Sequence, residues 1–163
     1  MPVAPSVLES MRSLGIVYEE MACDPALADT AQFCEAYGVP LDRSANTILV
    51  ASRKPEGVVV ACLVLATTRL DVNGVVRRRM EVRKASFANA EQTKAMTGME
   101  IGGVTIFGLP AGMPVWVDPR VLDLDWIIIG AGSRSAKIRL DPGQLAGLEG
   151  FEVVDGLAQD VSA

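Results

Sequence analysis

Short apolar runs separated by turn residues are the main pattern along this chain. Residues 47–52 and 58–66 flank a turn-like segment and predict a β-hairpin. The run 58–66 is apolar throughout, which indicates a strand buried on both faces. Further strands are predicted at residues 16–21, 115–118, 126–129, 136–140 and 151–154, and residues 82–87 are ambiguous.

Helices are predicted where apolar residues recur at helical spacing and a capping residue stands in front of them. Val7, Leu8, Met11 and Leu14 fall on one face of a first helix that ends at Gly15. The other predicted helices start at the N-caps Asp29, Asn73, Asn89 and Asp141, and they end at Tyr37, Arg79 or Met80, Gly98 and Gly150. The element order predicts one α+β domain over residues 1–163 with a mixed, largely antiparallel sheet.

The composition is that of a chain that can bury a core without disulfides. Half of the 163 residues are hydrophobic and the mean hydropathy is +0.30. The longest apolar run falls far short of the ~20 residues that span a bilayer, and no signal peptide is expected. Cys23, Cys34 and Cys62 show no C-x-x-C spacing and are expected to be buried in a reducing compartment. We therefore expect a cytoplasmic protein with no membrane partner.

The charge distribution is uneven. The net charge of −5 argues against binding to nucleic acid through overall charge. Residues 77–84 nevertheless hold five of the fifteen Lys and Arg residues. They are either a local contact for a phosphate backbone or a solvated helix face. The five are Arg77, Arg78, Arg79, Arg83 and Lys84.

The chain contains no histidine. This excludes Ser-His-Asp and Cys-His catalysis and any zinc or iron site built on histidine. No pair of acidic residues has a spacing that identifies metal or glycosidase chemistry. Catalysis would have to use carboxylates, hydroxyls, amides, Lys or Arg side chains, backbone donors and the substrate itself.

Two glycine-bearing loops are the candidate sites. Gly102 and Gly103, followed by Val104 and Thr105, either present consecutive N–H groups to a carbonyl oxygen or form a tight turn. Residues 130–134 either supply backbone contacts, with Arg134 available for an anion, or form a glycine-rich hairpin. A strand is predicted on each side of this second loop, which argues against a phosphate-binding loop that opens a helix.

Asp118 ends an apolar strand and stands before a proline. It either orients a polar group in a pocket or caps the turn that follows.

Several sequence segments, taken in order, resemble the YbaK/ProRS-associated domain family, also called prolyl-tRNA editing domains. These are GIVYE, SANTILV, TRLDVN, TGMEIGG with FGLP, VWVD and GAG, between residues 15 and 132. The resemblance implies a mixed sheet, partly closed like a barrel, with helices around it. It also implies a trans-acting deacylase that hydrolyses the ester between a noncognate amino acid and the terminal ribose of tRNA. The implied partner is the 3′ aminoacyl-adenosine end of a mischarged tRNA, and no cofactor or metal is implied.

The resemblance also implies roles for particular residues. The family places a lysine before a hydroxyl residue, and the matching position here is Asn46, before Thr47. Lys137 or Arg134 restores a positive charge if either side chain points inward. In the implied site, Asn46 and Thr47 hold the ribose end; Gly102, Gly103, Val104 and Thr105 bind the ester; Asp118, Gly130, Ala131 and Gly132 shape the pocket. Because Asn46 is neutral, two alternatives stay open: a non-catalytic module that binds an aminoacyl-nucleotide or tRNA end, and a protein-interaction domain.

Overall fold

The computed structural model describes residues 3–161, which form an α+β structure of three sheets with helices around them. The α-helices are α1 (Pro5–Leu14), α2 (Thr30–Tyr37), α3 (Arg77–Met80), α4 (Ala90–Thr97) and α5 (Pro119–Leu122). The strands are β1 (Tyr18–Ala22), β2 (Ala45–Lys54), β3 (Glu56–Leu65), β4 (Thr68–Leu70), β5 (Lys84–Phe87), β6 (Val115–Val117), β7 (Ile127–Gly130), β8 (Ala136–Leu140), β9 (Phe151–Val153) and β10 (Ala158–Asp160). Short 3₁₀ turns cover Pro25–Leu27, Leu41–Arg43 and Pro142–Leu145.

The largest sheet has the strand order β5-β2-β3-β6-β9. Strands β5, β2 and β3 pair antiparallel, whereas β3, β6 and β9 pair parallel, so the predicted mixed sheet is confirmed. The other two sheets, β1-β8-β7 and β10-β4, are antiparallel. Within residues 3–161 no sheet closes on itself, so the barrel-like character implied by the resemblance is not confirmed.

The predicted hairpin is confirmed, and its second strand lies at the centre of the molecule. Ala61, Leu63 and Leu65 of β3 belong to one hydrophobic cluster, whereas Cys62 and Val64 belong to another. Side chains alternate between the two faces of a strand, so an uninterrupted apolar run packs against both clusters at once. This is the physical reason for the apolar pattern at 58–66.

The strand predicted at 126–129 belongs to a different sheet from the hairpin. It forms β7, which pairs with β8 rather than with β2 or β3. A single parallel bridge between Ser44 and Ile128 connects the two sheets. That bridge brings the start of β2 beside β7, and this juxtaposition sets the position of the site described below.

The sequence correctly predicted where α1, α2 and α4 end. Gly15, Gly38 and Gly98 adopt left-handed conformations at the ends of these helices. Asn89 and Gln92 form the predicted capping box, in which each side chain bonds the backbone N–H of the other residue. Local hydrogen bonding therefore accounts for these boundaries.

One helix prediction was wrong, and a second was correct in its end at Met80 but wrong in its N-cap. The helix expected from Asp141 to Gly150 is only a 3₁₀ turn over Pro142–Leu145, because Gly147 and Gly150 take positive φ angles of 81° and 83° that end helical geometry. The helix expected from Asn73 begins instead with a π-helical turn, Val72–Val76, capped by Asp71. Both carboxylate oxygens of Asp71 accept backbone N–H groups, from Gly74 and Val75 at 3.1 Å each.

No helix within residues 3–161 combines the length and the apolar character that crossing a membrane requires.

Candidate functional site

A cavity of about 310 Å³ opens where β2, β7 and β8 meet the start of α2 and the loop around Gly102. The Ser44–Ile128 bridge holds the first residues of β2 against β7. Lys137 of β8 pairs with Gly130 of β7, so both residues lie beside the same opening. The convergence of these distant residues therefore follows from strand pairing.

Asn46 lies in the cavity wall, and its side-chain oxygen accepts a hydrogen bond of 2.6 Å from the Thr30 hydroxyl. This contact ties β2 to the first turn of α2. With the amide oxygen engaged there, the amide nitrogen keeps two N–H donors for other groups. Asn46 thus supplies neutral donors where the resemblance places a cation.

The neighbouring Thr47 also lines the cavity. Its Oγ1 is buried and has no hydrogen-bond partner among residues 3–161. A buried hydroxyl without a partner costs about 1–3 kcal/mol. An occupant of the cavity that bonds this hydroxyl would remove that cost.

Lys137 is the cation of this cavity. The residue is only 5% exposed, and its Nζ donates to the carbonyl oxygens of Ala28 at 2.6 Å and Gly102 at 2.7 Å. The Phe33 ring lies 5.3 Å from Nζ. Burial lowers the pKa of Lys137 from its ordinary value, with a smaller contribution from the positive charge of Arg134. An ammonium has three N–H donors, so one is left beyond the two carbonyl contacts.

Arg134 does not line the cavity, in contrast to Lys137. Its guanidinium donates to Asp29 Oδ1 at 3.0 Å and to the carbonyl oxygen of Pro25 at 3.0 Å, and it also contacts the carbonyl oxygen of Ile101. These bonds fasten the segment before α2 to the loop around Gly102. Arg134 therefore holds two segments of the cavity wall together without lining the cavity itself.

Gly103 forms a tight turn, which is one of the two alternatives predicted for this loop. Its N–H donates to the carbonyl oxygen of Glu100 at 2.8 Å, and its own carbonyl accepts from Gly132 at 2.7 Å. The prediction of two consecutive N–H donors facing a ligand is therefore wrong for Gly103. Gly102, with a φ of 92°, does line the cavity, and a Cβ there would meet Arg134 at 2.3 Å.

The second glycine loop joins β7 to β8 as a hairpin, as one of the two alternatives predicted. Gly130 lines the cavity, and a Cβ at this position would lie 2.2 Å from the carbonyl oxygen of Val104. Only a glycine lets the two backbone segments approach so closely. Ala131 and Gly132 face elsewhere: the Ala131 carbonyl accepts from Ala4, and a Cβ on Gly132 would meet the side chains of Ala4 and Val7.

The predicted site residues divide into two groups. Asn46, Thr47, Gly102, Val104 and Gly130 line the one cavity. Those that do not are Gly103, Thr105, Asp118, Ala131 and Gly132.

Asp118 caps α5, which is the second of the two alternatives for this residue. Its Oδ1 accepts from the Arg120 N–H at 3.1 Å, and its own N–H donates to the Leu63 carbonyl oxygen at 3.1 Å. The other carboxylate oxygen is buried without a partner among residues 3–161. Burial raises the pKa of Asp118, and the N–H of Arg120 partly opposes this effect. The expectation that Asp118 shapes the pocket was wrong.

Sequence reasoning missed part of the cavity wall. Asp29 occupies the N-cap position of α2, but its side chain makes no capping bond and pairs with Arg134 instead. Thr30 and Ile101 carry no motif that would have identified them. Ser44 was recognisable only as part of the SANTILV segment. The missed lining residues are Asp29, Thr30, Ser44, Ala45, Ile48, Ile101, Ile128 and Ile129.

Within the described part of the chain, no group of three or more His, Cys, Asp or Glu residues is arranged to hold a metal ion. The polar groups that line the cavity are amide, hydroxyl, ammonium, carboxylate and backbone groups. Its chemistry is that of hydrogen bonding and charge stabilisation.

Comparison with known proteins agrees with the fold and the sequence segments. The model of the aminoacyl-tRNA editing domain family matches residues 24–148. This match covers most of the chain, and the protein belongs to the aminoacyl-tRNA editing domain family.

Particular relatives give the same picture. The chain is 30% identical over 119 residues to YwhH of Bacillus subtilis (strain 168), which is described as uncharacterized, and the match covers 73% of each protein. A solved structure of the hypothetical protein APE2540 superposes with a TM-score of 0.83 at 21% identity, covering 94% of this chain and 99% of that one. A candidate trans-editing enzyme for prolyl-tRNA synthetase superposes with a TM-score of 0.77 at 21% identity, covering 94% and 97%. At these identities, the two structures establish similarity of fold.

Proposed function

We propose that this protein is a trans-acting aminoacyl-tRNA deacylase that hydrolyses the ester of a mischarged tRNA. One observation carries the proposal: three residues that bear a buried ammonium, a neutral amide and an unpartnered hydroxyl line the same cavity. These groups belong to Lys137, Asn46 and Thr47. Membership of the aminoacyl-tRNA editing domain family supports the assignment of the substrate class.

The reaction requires little beyond positioning and charge stabilisation, because the aminoacyl ester is already reactive. Water adds to the carbonyl carbon, and negative charge develops on the carbonyl oxygen. The bond to the ribose oxygen then breaks, and that oxygen takes up a proton as the amino acid leaves. Holding the ester and the water in line supplies much of the acceleration. Donors fixed in a site shielded from water stabilise the developing charge.

Lys137 takes over the electrostatic role that the resemblance gives to a lysine at position 46. Its ammonium is fixed by the carbonyl oxygens of Ala28 and Gly102, so little reorganisation is needed when negative charge appears nearby. Burial weakens screening by solvent, which makes the charge more effective than at the surface. A lone asparagine adds only a neutral dipole.

Asn46 and Thr47 bind the ribose or carbonyl end of the substrate. Asn46 is held in place by Thr30, which leaves its amide N–H groups for the ligand. The Thr47 hydroxyl is buried and has no partner among residues 3–161, so it bonds the substrate only if entry of the substrate exposes it. Gly102, Val104 and Gly130 provide a wall in which backbone approaches the ligand closely.

The basic segment 77–84 is the proposed contact for the tRNA backbone. Lys84 pairs with Lys54 at the far end of β2 from Asn46. Eight residues of strand at about 3.3 Å each separate Asn46 from Lys54, or roughly 26 Å. Lys84 would therefore meet a part of the tRNA well removed from the terminal adenosine.

A non-catalytic module that binds the aminoacyl-tRNA end is the second candidate, and the neutral residue at position 46 favours it. A deacylation screen over mischarged tRNAs separates the two. We expect hydrolysis above the buffer rate for at least one mischarged tRNA, and loss of that hydrolysis in Lys137→Met. Tight binding of aminoacylated tRNA without hydrolysis of any member of the panel would establish the binding module instead.

A further inference from the structure

An aromatic and basic surface lies next to the cavity and takes no part in the site described above. It consists of Trp126, Arg43 and Arg139, and we call it the Trp126 surface. The guanidinium of Arg139 lies 4.2 Å from the centre of the Trp126 ring, and that of Arg43 lies 5.0 Å from it. A groove of about 440 Å³ beside them is lined in part by Trp126 and Arg139.

The chain connects this surface directly to the cavity wall. Arg43 immediately precedes Ser44, and Trp126 is two residues before Ile128. Ser44 and Ile128 bridge to each other, and both line the cavity. Arg139 lies two positions after Lys137 in β8, so the two side chains stand on the same face of that strand. The Trp126 surface therefore begins within about 7 Å of chain from the cavity, a distance of two strand residues.

The chemistry of the surface suits unpaired nucleotides. Bases of single-stranded RNA stack on aromatic rings and on arginine guanidinium planes, and arginine also bonds phosphate oxygens. The groove volume lies within the range of small-ligand pockets, which admits one base with its sugar.

Acidic residues at the surface do not prevent this use. Asp125 pairs with Arg43, but the aspartate side chain is 81% exposed, and such an ion pair contributes little. Glu19 and Asp141 also line the groove, and Glu19 stands opposite Arg139 in the strand pairing, but among residues 3–161 neither forms an ion pair with Arg139. A phosphate can replace Asp125 at Arg43 with little loss, because both are anions held at the solvent boundary.

We propose that the Trp126 surface binds the unpaired nucleotides that precede the terminal adenosine of tRNA. This inference rests on the proposed function, because that function defines what enters the cavity. If the terminal adenosine of a tRNA occupies the cavity, the nucleotides before it must lie on a surface next to the cavity. The Trp126 surface adjoins the cavity wall, whereas Lys84 of the basic segment pairs with Lys54, roughly 26 Å from Asn46 along β2.

The first experiment measures binding without catalysis. A short single-stranded RNA with the sequence of a tRNA 3′ end is titrated into the protein while tryptophan fluorescence is recorded. We expect quenching in the wild type, its loss in Trp126→Phe, and about fivefold or greater weakening of affinity in Arg139→Ala. Arg139→Lys keeps the charge without the planar group, and its affinity for the RNA is expected to lie between those of the wild type and Arg139→Ala. Arg12→Ala is the matched control, since Arg12 also pairs with an exposed carboxylate, that of Glu9.

The second experiment compares two substrates, a mischarged tRNA and an aminoacyl ester of adenosine alone. We expect the ratio of their kcat/KM values to fall at least fivefold in Arg139→Ala and in the Arg43→Ala/Arg139→Ala double variant, relative to Arg12→Ala. Deacylation with an unaltered ratio in these variants overturns the inference and leaves the proposed function standing. RNA binding that depends on Arg139, in a protein that hydrolyses neither substrate, supports the inference and refutes the deacylase. Absence of RNA binding together with absence of hydrolysis overturns both.

Discussion

Asn46 and Lys137 lie in the wall of one cavity, although they come from strands in different sheets. Thr30 holds the amide of Asn46, and the carbonyl oxygens of Ala28 and Gly102 hold the ammonium of Lys137. The residue that is neutral at the position of the family lysine therefore shares its cavity with a cation supplied by β8. This relationship could not be found from spacing along the chain.

Lys137→Met is expected to reduce kcat/KM for a mischarged tRNA about 100-fold, the usual effect of removing one fixed donor to a developing oxyanion. Lys94→Met is the control, because Lys94 is an exposed lysine that pairs with Glu100. Circular dichroism and thermal unfolding of both variants establish that the fold persists. Activity at the level of the Lys94→Met control would remove Lys137 from the proposed site.

The pH dependence of the reaction tests the same residue in the intact protein. Burial lowers the pKa of Lys137 below its ordinary value of 10.5, and the ammonium is the form that stabilises negative charge. Enzymatic deacylation is therefore expected to decline as pH rises through the lowered pKa, at a pH below 10.5. Rates are measured after subtraction of a buffer blank at each pH, since free hydroxide also hydrolyses the ester. If the deacylation rate of Lys137→Met declines over the same pH range, the titration belongs to another group.

Substitutions at Asn46 test whether the cavity needs a charge at that position. Asn46→Ala should lose activity while the fold persists, because it removes the donors that position the substrate and leaves the Thr30 hydroxyl without its acceptor. Asn46→Lys in the wild-type background should not raise activity, since Lys137 already provides the cation. In the Lys137→Met background, Asn46→Lys should recover part of the lost rate.

The opposite pattern would identify a relic of a lysine-dependent site. In that case the wild type is nearly inactive, and Asn46→Lys alone gains hydrolysis. Rates of wild type, Asn46→Ala and Asn46→Lys that all equal the buffer rate on a panel of mischarged tRNAs would exclude the enzyme.

Gly130→Ala should destabilise the protein and disturb the cavity together. The new Cβ would lie 2.2 Å from the carbonyl oxygen of Val104, which is backbone and cannot rotate away. We expect a loss of about 1–3 kcal/mol in the free energy of unfolding, as for other overpacked sites. Gly143→Ala is the control, because its Cβ would meet only the exposed side chain of Asp141, at 3.1 Å. Denaturant unfolding of the two variants makes the comparison, and equal stabilities would contradict the close approach.

The sequence was a good guide wherever local hydrogen bonding decides the structure. The Asn89–Gln92 capping box and the buried strand β3 both follow from residues close together in the chain. It failed where one side chain outcompeted another, as when Asp71 rather than Asn73 capped the turn before α3. An ionised carboxylate can accept two backbone N–H groups at once, which the asparagine oxygen beside it does less well.

Prediction of the site was limited because spacing along the chain does not show where a side chain points. The resemblance supplied Asn46, Thr47, Gly102, Val104 and Gly130, which do meet around one cavity. It could not distinguish Lys137, which points into the cavity, from Arg134, which bonds Asp29 behind it. Side-chain direction at a hairpin depends on register, and a shift of one residue exchanges the two faces.

Asp118→Asn should stabilise the protein in a pH-dependent way. Burial raises the pKa of this carboxyl group above 3.8, so the folded state favours the protonated form. The stability contributed by that neutral form is fully present below about pH 3.8 and is lost as pH rises through the raised pKa. Asparagine keeps the oxygen that accepts from Arg120 and cannot ionise.

The difference in unfolding free energy between Asp118→Asn and the wild type should therefore grow as pH increases from 3 and then level off above the raised pKa. Asp24→Asn is the control, since Asp24 is an exposed aspartate whose oxygen also accepts from a backbone N–H, that of Ala26. A difference that stays constant between pH 3 and pH 8 would show that the burial of Asp118 has no effect on its ionisation.

Reversing charges in the basic segment tests its contact with tRNA. The variant Arg78→Glu/Arg83→Glu/Lys84→Glu leaves Arg79 intact, because Arg79 pairs with Glu152 at 2.6 Å and lies 5.6 Å from the centre of the Trp116 ring. If these residues neutralise tRNA phosphates, the variant should bind tRNA more weakly. The slope of log affinity against log salt should also become shallower, by roughly 0.9 for each lost phosphate contact in a duplex. Filter binding of tRNA between 50 and 200 mM salt, roughly the range over which such contacts weaken strongly, measures both effects. An affinity and a slope equal to those of the wild type would leave the segment as a solvated surface.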